Sequence, residues 1–133
     1  MIRENSVQSF GWLSIYDLHN CEFPFTDKSY LQNFLKILVQ DIMDMKIIGT
    51  PQFEYFEDNE YNRQRGLIGF SITTIISLSS ITIHICDIQK TVYIDIFSCC
   101  KLNKEIKRQI NELIKLVFKP NVIKKKIINR GIY

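Results

Sequence analysis

Hydrophobic and polar positions divide this chain into stretches that alternate every second residue and two stretches with a period near 3.6. In the middle, "SLSSITIHICD" (Ser77–Asp87) sets Ile81, Ile83 and Ile85 against Ser80, Thr82 and His84, the pattern of a half-buried strand with one polar face. "TVYIDIFSCC" repeats it, with Ile94 and Ile96 opposite Tyr93, Asp95, Phe97 and Cys99. The preceding "LIGFSITTIISL" is apolar over most of its length and predicts a long, largely buried strand, separate from the next or bent into it. Further strands are predicted at about Phe10–His19, at Lys46–Phe56 and in "NVIKKKII". Leu31, Phe34, Leu35, Leu38, Ile42 and Met45 recur at three- and four-residue steps, which predicts a helix over Lys28–Met45 capped by Thr26 or Asp27. Ile106, Ile110, Leu113, Ile114 and Val117 predict a second helix over Asn103–Phe118, stopped by Pro120. The charged "EDNEYNRQR" segment, with no apolar period, reads as a loop. The order β-α-β-β-β-β-α-β predicts an α+β fold, a two-layer α/β sandwich with a mostly antiparallel sheet and two helices packed on one face.

Composition narrows the picture. With 133 residues, 46% of them hydrophobic and 23% charged, the chain is expected to form a single domain over residues 1–133 with a substantial core. Every apolar run is too short to span a bilayer, and "MIRENSVQSF" lacks the apolar core of a signal peptide, so a cytoplasmic protein without a membrane partner is expected. The net charge of +3 is mild. Lys124, Lys125 and Lys126 have no interleaved aromatics, and read as a solvated strand edge rather than a nucleic-acid surface. Cys21, Cys86, Cys99 and Cys100 form no CxxC pair and no zinc spacing with His19 or His84, so no metal is expected and the cysteines read as thiols.

The chemistry concentrates between Ser77 and Cys100. Ser79 is followed five residues on by His84; eleven further comes Asp95, and four further Cys99. On neighbouring strands such residues combine a nucleophile, a proton relay and a proton donor. Taken singly, each has a plainer reading: a hydrogen-bonded strand histidine, an apolar packing cysteine, serines at a strand end.

Together, "SLSSITIHICDI" and "IDIFSCC" resemble the S-E-S-H-[LIM]-[TS]-I-H-T-W-P-E and I-D-[LVI]-F-[TS]-C-G motifs of the small, prokaryotic-type S-adenosylmethionine decarboxylases. "GWLSIYDLHNC", "FEYF" and "NRG" extend the resemblance more weakly over nearly the whole chain. The resemblance implies a pyruvoyl enzyme of spermidine synthesis that cleaves itself between Leu78 and Ser79, into residues 1–78 and 79–133. Ser79 would become the pyruvoyl cofactor, which serves as electron sink for the substrate amine. His84 would assist cleavage, and Cys99 would protonate the decarboxylated carbon. Phe53, Ser80 and Asp95 are the substrate-side candidates, S-adenosylmethionine is the first substrate expected, and a homodimer is implied.

Several positions depart from the family pattern. Leu78 replaces the acid before the cleavage serine, Ser80 a histidine, and Cys86, Asp87 and Ile88 the W-P-E that helps form the nucleoside site. Cys100 replaces a glycine, and Glu54 the histidine of F-H-x-F. Three alternatives stay open beside the decarboxylase of S-adenosylmethionine: one acting on another amino acid such as arginine or ornithine, with Asp87 or the acidic stretch Glu57–Glu60 as counter-charge; a catalytically silent homologue that regulates a partner; and a plain α+β binding domain.

Overall fold

A computed structural model describes residues 11–131; the predicted strand start at Phe10 and the N-terminal decapeptide lie outside the described residues. Six strands form one antiparallel sheet: β1 (Gly11–His19), β2 (Ile48–Phe56), β3 (Gly69–Ile76), β4 (Ser79–Cys86), β5 (Thr91–Ser98) and β6 (Val122–Arg130), in the order β2-β3-β4-β5-β1-β6. The alternation in sequence becomes the two faces of this sheet. Tyr16, Leu18, Ile72, Ile76, Ile81, Ile83, Ile85, Val92, Ile94 and Ile96 point to one side and are buried. The helices α1 (Lys28–Lys36) and α3 (Lys104–Phe118) cover that side with Leu31, Phe34, Leu35, Ile110, Ile114 and Phe118, closing one core. The α+β two-layer sandwich expected from the pattern is the fold observed.

Each helix starts where a side chain can hold an orphan backbone N–H. Asp27 accepts from Tyr30 N–H at 3.2 Å, and Asn103 from Ile106 N–H at 2.8 Å. The Tyr30 hydroxyl donates to the Val117 carbonyl at 2.6 Å and ties α1 to α3.

Three local predictions need correction. The first helix is α-helical only to Lys36; Ile37–Ile42 widens into a π-helical turn, and Met45 falls outside it. The wider turn still points Leu38 and Val39 into the core, so the apolar period survives while the hydrogen bonding changes. The charged segment contains a short helix, α2 (Glu60–Gln64), because Asn59 caps it by accepting from Asn62 N–H at 2.7 Å and Arg63 pairs with Asp58 at 2.6 Å. β3 is buried on one face rather than throughout, since Thr73 and Ile75 are exposed. Of the two readings left open for β3 and β4, the structure has the two separate strands, joined in a tight hairpin. β6 is an edge strand, and its three consecutive lysines are exposed.

Gly69 opens β3 at a φ of 141°, so close to β4 that an added Cβ would overlap the Ile85 carbonyl oxygen. A Gly69→Ala substitution is therefore expected to destabilise the fold by at least about 2–3 kcal/mol, through strain and backbone displacement together. Equilibrium urea unfolding measures this, and an unchanged midpoint would contradict the close approach.

Candidate active site

The β3–β4 connection is a two-residue turn. Ile76 pairs with Ser79, leaving Ser77 and Leu78 between the strands. Ser77 takes a φ of 56°, the left-handed conformation that such hairpins use and that a serine adopts at some cost. The backbone strain of the hairpin thus sits two residues before Ser79, which is itself regular strand. Leu78 is 81% exposed, which leaves the Leu78–Ser79 peptide bond at the rim of the sheet.

Ser79 shares the parity of Ile81 and Ile83, so its side chain faces the helix layer and is buried. There it meets the end of β5. The Cys99 backbone N–H donates to Ser79 Oγ at 3.0 Å, and the Ser79 hydroxyl donates to Cys99 Sγ at 3.4 Å. The hydrogen bond from Ser79 holds the Cys99 thiol below the usual cysteine range; partial desolvation opposes it, and the Cys100 thiol with the backbone N–H groups of Cys99 and Leu78 add to it. The direction matters. It makes Cys99 the more acidic of the two adjacent thiols, with the Ser79 hydroxyl as its hydrogen-bond donor. Cys100 is pushed up by its hydrogen bond to Cys99 and by the charge there, and burial pushes the Cys21 thiol up to about 11.

His84 is not part of this cluster. Five residues along a strand span about 16–17 Å, and an odd separation turns the side chain to the opposite face. His84 is exposed on the uncovered side of the sheet, its Nδ1 2.9 Å from Ser71 Oγ. Ser71 went unnoticed in the sequence, although a signal for it existed. Once Ser77–Leu78 is taken as the hairpin turn, antiparallel pairing sets residue 71 opposite residue 84. Gln52, Glu54, Ser71, Thr73, Thr82 and His84 line a hollow of about 190 Å³.

The substrate-side candidates scatter. Ser80 and Asp95 lie on the uncovered face, paired with Phe97 and Thr82 respectively. Phe53 belongs to the helix side, edge-on to Phe70 with centroids 6.2 Å apart and the Lys28 ammonium 5.3 Å from its ring. It sits opposite Ile72, four residues short of the hairpin end, so it does not meet Ser79. Asp87, a candidate counter-charge, is paired with Lys90 at 2.9 Å. Beside Ser77 and Cys99, on the helix side, a cavity of about 630 Å³ is lined by Met43, Met45, Ile48, Cys100 and Leu102. Among the described residues no three His, Cys, Asp or Glu side chains are grouped as metal ligands.

On this one-faced antiparallel sheet, Ser79, the first strand residue after the hairpin turn, meets Cys99 at the end of β5. Residues 13–131 match the family model described as S-adenosylmethionine decarboxylase, and the chain belongs to that family. Its fold is similar to the crystal structure of the adenosylmethionine decarboxylase from Aquifex aeolicus VF5, with a TM-score of 0.72, 16% sequence identity, and coverage of 95% of this chain and 94% of that one. At that identity the likeness is one of fold. No curated protein sequence matches the chain. No helix among the described residues is long and apolar enough to cross a membrane.

The Ser79–Cys99 hydrogen bond predicts an order of thiol reactivity in the uncleaved chain. Cys99 should alkylate with iodoacetamide at lower pH than Cys100 and far faster than Cys21. Removing the donor in Ser79→Ala destabilises the thiolate, so the Cys99 pH–rate midpoint should move up, towards the ordinary thiol value of about 8.5. Peptide mass spectrometry of timed samples measures both; a midpoint unmoved by the substitution would show that Ser79 does not set the acidity.

Proposed function

We propose that this protein is a pyruvoyl-dependent amino-acid decarboxylase that cleaves itself between Leu78 and Ser79, with S-adenosylmethionine as its first expected substrate. The observation that carries the reading is the buried Ser79 hydroxyl held against Cys99, one residue after the exposed Leu78 of the hairpin turn. The Ser79 proton passes to a base, and Oγ attacks the Leu78 carbonyl carbon, so the amide becomes an ester and the Ser79 nitrogen a free amine. Loss of the Ser79 α-proton and of the Leu78 carboxylate leaves dehydroalanine. Water then replaces the amine as ammonia, leaving the pyruvoyl cap. Residues 77–79 and 99 fit the formation of this group, since the hydroxyl, its proton acceptor and the scissile bond converge there. Once formed, the group supplies an electron sink for loss of carbon dioxide from an α-amino acid. Cys99 remains beside it as the group that holds and returns a proton.

His84 cannot serve its own hairpin, and this favours the homodimer. The uncovered sheet face carries exposed Ile75, Tyr93 and Ile128, apolar surface that a second copy would bury. Two such faces packed about a twofold axis that runs across the strands would bring the His84 end of one β4 towards the Ser79 end of the other. His84 and Ser71 of one protomer then act as the proton relay for its partner. A second reading, a catalytically silent homologue that regulates a relative, is favoured by the far end of β4. There the Asp87 carboxylate is occupied by Lys90 and Ile88 offers no acceptor for a ribose hydroxyl.

Denatured intact mass is the direct test. Freshly purified protein should give two fragments, the second beginning at position 79 with a pyruvoyl group, and Ser79→Ala should stay whole. A wild-type chain that remains uncut for days would overturn the decarboxylase reading. His84→Ala alone should slow cleavage by about 10²–10⁴-fold, the usual loss of a general acid–base. Mixing it, after brief denaturation and refolding, with Ser79→Ala should restore cleavage of the His84→Ala chain. Rescue supports action across the dimer, and its failure would exclude that arrangement.

A further inference from the structure

The turn that follows β5 sets a second thiol beside the Cys99 of the proposed decarboxylase. Cys99 and Cys100 are adjacent, and their Sγ atoms lie 3.9 Å apart on the same side of the chain. Ser98 holds them so. Its buried hydroxyl donates to the Cys100 carbonyl at 2.6 Å and accepts from the Cys100 N–H at 3.1 Å, a clip around the two-residue turn. Disulfide formation is poorly suited to this pair. Adjacent Cα atoms are about 3.8 Å apart, below the ~4.4 Å at which unstrained disulfides begin, and the sulfurs would have to close to about 2.05 Å. A single metal ion fits better. Two thiolates about 2.3 Å from one ion, at tetrahedral or trigonal angles, stand about 3.8–4.0 Å apart.

The cavity beside the pair indicates which ion. Met43 and Met45, on the segment after α1, line it together with Cys99 and Cys100. Four sulfur-bearing residues from two distant segments thus line one space, Met43 and Met45 at its junction with the core. Asp44 is the one carboxylate on its wall, and no third His, Cys, Asp or Glu joins the two thiols among the described residues. A closed zinc site wants four such ligands, whereas thiolate and thioether sulfur select monovalent copper. We propose that Cys99 and Cys100 chelate a copper(I) ion, with the thioethers of Met43 and Met45 completing its coordination. Copper on Cys99 occupies the sulfur that otherwise receives the Ser79 hydroxyl, so the loaded site has no free thiol to offer the hairpin.

Binding can be read without reference to cleavage. Reduced protein is titrated anaerobically against the coloured copper(I)–bicinchoninate complex, and the loss of colour counts the copper withdrawn. One equivalent should be withdrawn by the wild type and equally by Cys86→Ser, which removes an unrelated thiol. Affinity should fall by more than about 100-fold in Cys100→Ser, and by about 10–100-fold in Ser98→Ala, which frees the clip without touching a ligand. The Met43→Leu/Met45→Leu double variant, close in volume, should also bind more weakly. No withdrawal by the wild type, or withdrawal unchanged by Cys100→Ser, would overturn the site. Unchanged affinity in the methionine variant, or tighter binding of zinc(II) in a parallel zinc-indicator titration, would overturn the copper assignment.

Discussion

Everything chemical in this molecule depends on the two-residue period of β4. Ser79, Ile81, Ile83 and Ile85 are turned to the helix layer because three isoleucines there are buried against α1 and α3. Each is worth about 1.5–3 kcal/mol in burial, so the strand cannot slip by one residue without turning that row to water. The same period turns His84 to the uncovered face. A serine and a histidine five residues apart on one strand are thereby assigned to opposite faces and opposite ends. The core does not merely support the candidate chemistry; it separates its two parts.

The end of β5 shows how little machinery is needed to alter a thiol. Cys99 sits just past the last ladder residue, where its own N–H, that of Leu78 and the Ser79 hydroxyl are free to turn towards sulfur or towards one another. Cys21 has burial and no such donors, and its acidity moves the other way. Identical side chains in one domain are thus pushed apart by local hydrogen bonding against desolvation. Neither effect needs a charged neighbour.

How far the sequence could be read follows the same logic. Strong periodicity was legible: Ile81–Ile85 and Ile94–Ile96 gave strands and faces, and the α3 stripe gave a helix of nearly the right length. What escaped were features decided by hydrogen bonds that carry no hydrophobic signature, namely the π-helical turn at Ile37–Ile42 and the short capped helix at Glu60–Gln64. At the site, the closeness of Ser79 and Cys99 followed from pairing β4 with β5. The separation of His84 was equally available, since parity alone dictates it, but shared motif spacing suggested closeness instead. Ser71 needed the hairpin register, and Phe53 needed the position of β2, which an irregularity between Ile48 and Gln52 obscures.

The two-residue hairpin has one more consequence. Ser77 and Leu78 are the covalent tether that keeps β3 and β4 in register at almost no loop-closure entropy. A break after Leu78 would leave the native sheet almost undisturbed, since the ladder, not the turn, holds the strands. Once melted, however, the two pieces would have to find each other by diffusion, and the folding of a single protomer would itself acquire a dependence on concentration that an intact protomer lacks. Such a protein would be assembled once, as a single chain, and afterwards owe its persistence to the slowness of unfolding rather than to its ability to refold.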